Sequence, residues 1–542
     1  MPENCMSRIR NGLHNFFNNR QVNIFVTTIM IMFSTFVIFI SLTRRSFLSP
    51  YETQNFTREI IFPDTNVVEE MTNTVLSLML LLFAALFFGK IAEYAKLPPL
   101  VGSLICGIIA RNISCIDNFL IIVPAWDFTM RRLAMCNIII RWAINIDVPY
   151  LQSNLAQIMF FGIFSSLLEV VSITSVAYFL LHYTFPVAVL AGVQLGTASP
   201  VVSVPIVMKL KQKGCSIEKR MQSIIPAACC FDNLMCVSVF CLTIGLTYSQ
   251  EGSLAYTLHF CGQIFASTLA ACALGWLVCW FPRSNEDHTQ LARILLIAVI
   301  SVAAIFFMAG VDEAYCGIIG TLVFVCFATT RWRIDNPQKA VPIERAFNST
   351  WNLLFCPMLF ALFGRRLYFE SLPTWEPLWH ALTFFGIGLV ARLISGLIAT
   401  SCGEFRFKEQ LLLTLAMMPK ATVQAALAPG LTRLLTIKPE LDDEIRRLAQ
   451  IAILVILFNS PIVDYLLTFL GPKLLSNSNT GNIVIVTTPS DADDNASVTT
   501  YNRAEKIDDD ANSMVTFKQF RSLYASQYDH PFNQKPYAID RY

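Results

Sequence analysis

The sequence predicts an all-α polytopic membrane protein with about fourteen transmembrane helices. Three observations support that class. Of 542 residues, 54% are hydrophobic and only 14% charged, whereas soluble domains carry about 25% charge. Phenylalanine occupies 42 positions, and mean hydropathy is +0.53. Apolar runs of about 20 residues, long enough to cross a bilayer as helix, recur along the chain, and fourteen of them would use roughly half of it. The formal charge of +2 excludes a nucleic-acid binder driven by bulk positive charge. Most of the 16 cysteines sit inside apolar runs without paired ligand spacing, as Cys229, Cys230, Cys236 and Cys241 do, and read as small buried hydrophobes.

The first apolar run, Ile24 to Leu42, follows Arg8, Arg10 and Arg20 in the manner of a signal sequence. It has no small-residue cleavage site and is long enough to span, so it predicts a retained helix after a cytosolic segment of residues 1–23. Hydropathy then predicts helices over 75–94, 98–112, 132–146, 157–182, 185–209, 223–247, 257–281, 289–309, 314–331, 350–366, 378–401, 408–435 and 448–471. An even number puts both termini on one side. Lys209, Lys211, Lys213, Lys219 and Arg220 lie between the sixth and seventh helices, and Arg331, Arg333, Lys339 and Arg345 between the tenth and eleventh. The positive-inside rule makes both loops, and with them both termini, cytosolic. Arg44, Arg45, Arg131 and Arg132 on the opposite loops moderate that bias, while the glycan acceptor Asn55-Phe56-Thr57 falls outside, in agreement with it. After Gly471 the composition turns to Ser, Asn, Thr and Asp, with Asp491, Asp493, Asp494 and Asp508 to Asp510. The segment 472–542 has too few large apolar residues for a core and reads as a disordered cytosolic tail.

Two apolar segments carry helix-breaking chemistry: Gly196-Thr197-Ala198-Ser199-Pro200 through Pro205, and Met418-Pro419-Lys420-Ala421-Thr422 through Pro429. Proline removes an amide donor and frees backbone groups at membrane depth, which then need protein, water or an ion as partner. With the first helix set aside, the remainder forms two sets of six, about 75–247 and 289–471, joined by one helix. The broken helix is the fifth member of each set. Matching breaks in two halves point to inverted repeats with a binding site at the midplane.

Few ionisable residues fall inside the predicted spans, and a charge at that depth is costly unless paired or wet. Glu169 and Arg392 read as a structural ion pair between helices. Asp232, followed by Asn233, reads as the functional acid, since no neighbour in its own helix neutralises it and a carboxylate suits hard cations and protons alike. Lys420 is open between two roles, a titrating partner of Asp232 and a cap on carbonyls freed by the break. Lys90 and Glu93, and similarly Arg141 and Asp147, are expected to reach to the interface. No phosphate-binding loop, nucleotide fingerprint, metal-ligand cluster or nucleophile elbow occurs, so primary transport has no motor here. Nucleophile and base pairs are absent at membrane depth too, which argues against an enzyme.

The phrases Leu97-Pro98-Pro99-Leu100-Val101-Gly102 with Arg111-Asn112-Ile113, Leu167-Leu168-Glu169, Ser199-Pro200 with Val204-Pro205, Phe231-Asp232, Pro419-Lys420-Ala421-Thr422-Val423-Gln424-Ala425-Ala426 and Leu470-Gly471-Pro472 occur in that order. From about Leu76 to Leu475 the chain thereby resembles the animal sodium/proton antiporters of the NHA subfamily, in the cation:proton antiporter superfamily. The resemblance implies a homodimer in the bilayer, with a mobile six-helix core that carries Na+ or Li+ one way and protons the other. No cofactor beyond those ions is implied. It places Asp232 at the first of the family's paired aspartates and makes it the Na+ site. Lys420 matches the lysine of the crossing helix, Glu169 and Arg392 a bridging pair, and Thr197 and Ser199 the ligands of the first break. Asn233 departs from the pattern, standing where the family has a second aspartate. An amide keeps an oxygen ligand and removes a titratable group. Exchange of Na+ for H+ with Asp232 as the sole core carboxylate is the leading expectation. A transporter-derived sensor or scaffold acting through the tail is the first rival, and a channel or carrier for another solute the second. The expected home is the plasma membrane, with an organellar membrane as the alternative.

Overall fold

Each of the fourteen predicted positions is helical in the computed structural model, which describes residues 20–43, 65–212, 219–248, 252–282, 289–311, 313–335, 337–369, 375–403 and 405–475. No strand occurs among the described residues. The N-terminal residues 1–19, Arg44, Arg45, Asn55-Phe56-Thr57, Lys213 and the tail beyond Leu475 lie outside them. The helices are α1 (Arg20–Thr43), α2 (Thr65–Tyr94), α3 (Pro99–Asn112), α4 (Pro124–Asn145) and α5 (Leu155–Leu180), then α6a (Phe185–Gly196), α6b (Pro200–Gln212), α7 (Lys219–Tyr248), α8 (Ser253–Trp280), α9 (Thr289–Gly310), α10 (Ala314–Asp335), α11 (Ala340–Gly364), α12 (Glu376–Ser401), α13a (Phe407–Ala416), α13b (Thr422–Ile437) and α14 (Asp442–Leu474).

Ten of these, with α6 taken whole, are long and apolar enough to cross a membrane. The other four fall short, so length and composition give ten spans rather than fourteen uniform ones. In α1 the apolar stretch is only Phe25–Ile38, and α3 has 14 residues. Helix α4 carries Asp127, Arg131, Arg132 and Arg141. Neither half of α13 reaches spanning length.

The charged first turns of α4 also explain why its start falls at Pro124 and not at 132. Arg131 Nε donates to Asp127 Oδ1 at 2.9 Å, an i,i+4 pair that supports the helix where hydropathy is low. Arg132 lies over the Phe128 ring at 3.9 Å. Both arginines are therefore helical and held within the protein, and they do not belong to a loop that would offset the charge bias. Arg141 is also corrected: it does not reach to the interface but donates to Asn348 Oδ1 at 2.8 Å and lies over Trp351 of α11. Asp147 instead caps the short helix after α4 by accepting from Tyr150 N, whereas Lys90 and Glu93 are exposed and paired at 2.8 Å.

Contacts between connections sort the two ends of the bundle. At one end Arg365 donates to Asp117, Asn112 to the Leu367 carbonyl and Thr184 to Glu444. At the other, Arg333 caps the carbonyls of Ile144 and Ile146, and Arg220 lies over Phe405. Packing between the two sets of six is reciprocal. Helix α2 packs on α11 as α9 packs on α4, α3 on α11 as α10 on α4, α6 on α14 as α13 on α7, and α3 on α14 as α10 on α7, while the fourth members α5 and α12 pack on each other. A two-fold relation that exchanges the sets generates that pattern. One contact is not reciprocated: α13b packs on α4 and on α11, and its counterpart α6b has no comparable packing on either. Outward-facing Phe83, Phe87, Phe179, Phe265, Val390 and Ile394 present the apolar surface a bilayer requires.

Helices α3 and α11 approach closely across the two sets, with Gly107 against the backbone of Ala361 and Gly364 against that of Leu104. A Cβ at either position would run into a carbonyl oxygen. Gly107→Val and Gly364→Val are expected to destabilise the protein by about 1–3 kcal/mol each through overpacking. Gly386→Ala, with nothing within 4 Å of its new methyl, should leave the melting temperature of the purified protein unchanged or raised.

Candidate functional site

The two broken helices meet at their breaks, Thr197 to Ser199 and Met417 to Ala421, which are shorter than the proline spacing suggests because Pro205 and Pro429 lie inside α6b and α13b. Backbone groups freed there find defined partners. Ser199 N donates to the Pro419 carbonyl at 2.7 Å, tying one break to the other, and the Ser199 and Thr422 hydroxyls lie 3.3 Å apart. Lys420 N donates to Asn459 Oδ1 at 2.7 Å, and Ser460 donates to the Lys420 carbonyl at 2.8 Å. The Ala416 carbonyl at the end of α13a accepts from Ser203. At the end of α6a, the Gly196 carbonyl accepts from Lys420 Nζ at 2.7 Å and from Arg392 Nη2. Two cations at a helix C-terminus oppose its negative dipole end. With these partners in place, irregular backbone can persist at membrane depth.

Around the crossing lie the four charged residues singled out from the sequence, all at most 3% exposed. Arg392 on α12 is shared: its Nε donates to Glu169 Oε2 at 2.5 Å, and its Nη1 donates to Asp232 Oδ2 at 3.0 Å and to Ser165 Oγ at 3.2 Å. Lys420 Nζ donates to Glu169 Oε2 at 2.8 Å. Lys420 thus takes the carbonyl-capping role with Glu169 as its carboxylate, and its Nζ makes no ion pair with Asp232. Asp232 does have a neutralising neighbour, which comes from another helix. Two carboxylates and two cations form one chain, Asp232–Arg392–Glu169–Lys420, so none of these four charges is left uncompensated. A cavity of about 10 Å³, room for about one water, touches the chain on its Glu169 and Lys420 side, against Phe384, Phe385 and Asn459.

Asp232 carries three further bonds. Ser166 Oγ donates to its Oδ1 at 2.7 Å and Ala198 N, in the first break, to its Oδ2 at 3.1 Å. Cys236, one turn along α7, places its thiol 3.7 Å from Oδ1 and 3.2 Å from Ser166. Ser165 and Ser166 follow directly on a π-helical turn at Phe160–Phe164, a local widening often found at functional sites. Asn233 is fully buried, and neither atom of its amide has a hydrogen-bond partner among the described residues. Thr197 Oγ1 donates to the Gln194 carbonyl at 3.2 Å, and both Thr197 and Ser199 are fully buried. Sequence reasoning missed Ser165, Ser166, Gln194, Gln424 and Asn459. For Ser165 and Ser166 a signal exists, since they lie one turn from Glu169 on the same helix face. For Asn459 none exists, because its partner is 39 positions away.

Residues 78–470 match the family described as "Sodium/hydrogen exchanger, transmembrane". The chain is 28% identical over 408 residues to sodium/hydrogen exchanger 9B1 of Mus musculus, covering 74% of this chain and 71% of that one. It is 26% identical over 408 residues to sodium/hydrogen exchanger 9B2 of Homo sapiens, covering 73% and 74%. Among solved structures, the sodium proton antiporter MjNhaP1 from Methanocaldococcus jannaschii is similar in fold, with a TM-score of 0.59 at 16% identity over 75% of this chain and 98% of that one.

The shared guanidinium sets a stability order. Arg392→Met strips Asp232 of its counter-charge and is expected to cost about 3–5 kcal/mol, the range for breaking a buried pair. Lys420→Met leaves Glu169 paired with Arg392 and should cost clearly less. Because both cations act on Glu169, adding Glu169→Gln to either variant should be non-additive in chemical denaturation of the purified protein.

Proposed function

Because this chain belongs to the sodium/hydrogen exchanger family, we propose that it is a secondary active transporter that exchanges a monovalent cation, Na+ first and Li+ second, for H+ by alternating access. The observation that carries this reading is Asp232, a fully buried carboxylate where the two breaks meet. Its four bonds, from Ser166, Ala198 N, Arg392 and the Cys236 thiol, satisfy it, and each can be exchanged for an incoming cation or proton. Cation and proton then compete for one site, and coupling follows when only a loaded carrier crosses. Thr197, Ser199 and Asn233 supply oxygen ligands beside it, and Arg392 stays in place on Glu169, Ser165 and Gly196 while Asp232 changes partner.

The unreciprocated packing supports alternation. At one end of the bundle α13b is held against α4 and α11, where Arg131 donates to the Ala425 carbonyl and Arg366 to the Ala428 carbonyl. A two-fold related framework can close on α6b instead, which would close that end and open the one beside α13b. By the basic-loop assignment, the end held closed here is the outer one.

Charge counting argues for electroneutral exchange. With Asp232 and Glu169 ionised against Arg392 and Lys420, the quartet sums to zero, and Asn233 adds nothing. One Na+ or one H+ at Asp232 leaves the same net charge, so a one-for-one cycle moves none across the membrane. We read the protein further as a homodimer in a lipid bilayer, with both termini cytosolic. The plasma membrane is the first location and an organellar membrane the second, and pH homeostasis is the physiological task. No enzymatic step and no resident cofactor are required.

Purified protein in liposomes should show Na+-driven proton flux that is indifferent to a clamped membrane potential. Asp232→Asn should abolish it, and Asn233→Asp should retain flux that responds to the potential. Undiminished exchange by Asp232→Asn would refute the assignment. A wild-type protein without any cation-dependent flux would favour the sensor or scaffold reading.

A further inference from the structure

Two glutamines clasp the crossing helices to each other, and both are fully buried. Gln424, in the first turn of α13b, donates from Nε2 to the Thr197 carbonyl in the other helix's break at 2.9 Å. Gln194, in the last turn of α6a, donates from Nε2 to the Gln424 carbonyl at 3.2 Å. Each spends its amide N–H on the partner helix, and the Oε1 of each has no hydrogen-bond partner among the described residues. A buried acceptor without a partner costs free energy comparable to a lost hydrogen bond, so two of them on one clasp are not explained by clasping. A hydrophobic pair, or serines, could hold two helices together without that cost.

The place of the two glutamines at the breaks suggests the explanation. Gln424 rests on Thr197, which adjoins Ala198, the donor to Asp232. Asn233, the residue after Asp232, brings a third amide oxygen without a partner. Neutral carbonyl-type oxygens are the ligands that replace the hydration shell of a monovalent metal ion, and their number and field strength set which ion is preferred. We propose that the Oε1 atoms of Gln194 and Gln424 are ligands of the transported cation and determine its selectivity, forming with Asn233 a neutral oxygen half-shell opposite Asp232. A proton needs no such shell, so the glutamines act on the cation branch of the cycle and not on the proton branch. This rests on the exchange reading for the identity of the cargo, though not for the binding itself.

The test separates the amide oxygen from the amide donor. Gln194→Met and Gln424→Met remove both, whereas Gln194→Glu and Gln424→Glu keep the oxygen and lose the donor. Half-saturating Na+ is read from thermal stabilisation of the purified protein, and Na+/Li+/K+ ratios from proton flux in liposomes. The Met variants are expected to raise half-saturating Na+ by at least about tenfold, the effect of one lost interaction with a charged group, with altered ion ratios and an unchanged proton dependence. The Glu variants should bind Na+ as tightly as wild type or more tightly. Met and Glu variants that fail alike would reduce the glutamines to a clasp and overturn the proposal, as would Met variants with wild-type Na+ dependence. Wild-type protein that Na+ stabilises without driving proton flux would overturn the exchange reading and leave the ligand assignment decided by the same titrations.

Discussion

One guanidinium organises this membrane domain. Arg392 touches both buried carboxylates, a serine of α5 and the free carbonyl that ends α6a, all without exposure to solvent. An arginine can do this because its planar fork presents five donors that stay charged, and a lysine could not reach as many partners at once. It lets two buried acids coexist in low dielectric. Asp232 can change partner without leaving a bare charge, because Glu169 is also held by Lys420.

The second constraint is the backbone itself. Lipid offers no hydrogen bonds, so each break in a membrane helix must be satisfied from within. Here the two breaks satisfy each other through Ser199 and Pro419, and side chains of α7, α12 and α14 take much of the remainder. The same bonds that make the breaks tolerable carry polar groups to the midplane. Stability of the breaks and the gathering of polar groups beside Asp232 are one solution.

Much of this was legible along the chain. Hydropathy located the helices, and the paired prolines located the breaks to within a few residues. Intramembrane charge alone singled out Asp232, Glu169, Arg392 and Lys420. The misreadings have a common origin in polar residues whose partners a hydropathy profile does not register. Helix α4 began earlier than hydropathy allowed because Asp127 and Arg131 neutralise each other. Arg141 turned inward because Asn348 and Trp351 of α11 receive it. Ser166 escaped notice although it lies one turn from Glu169, and Asn459 because an asparagine in an apolar helix has no distinctive pattern until its partner is known.

By itself the sequence determined the all-helical membrane class, the sites of helix breakage and the four charges around the breaks, though not the buried Arg131 and Arg293. Those follow from local rules, the transfer cost of polar groups into lipid and the missing amide of proline. Tertiary structure alone decided who pairs with whom. It gave Arg392 to Asp232 as well as to Glu169, turned Lys420 toward Glu169 and Gly196, and left the amide oxygens of Gln194, Gln424 and Asn233 without hydrogen-bond partners among the described residues. Such pairings depend on distances between helices that are 160 to 251 positions apart in the chain, and no local pattern encodes them.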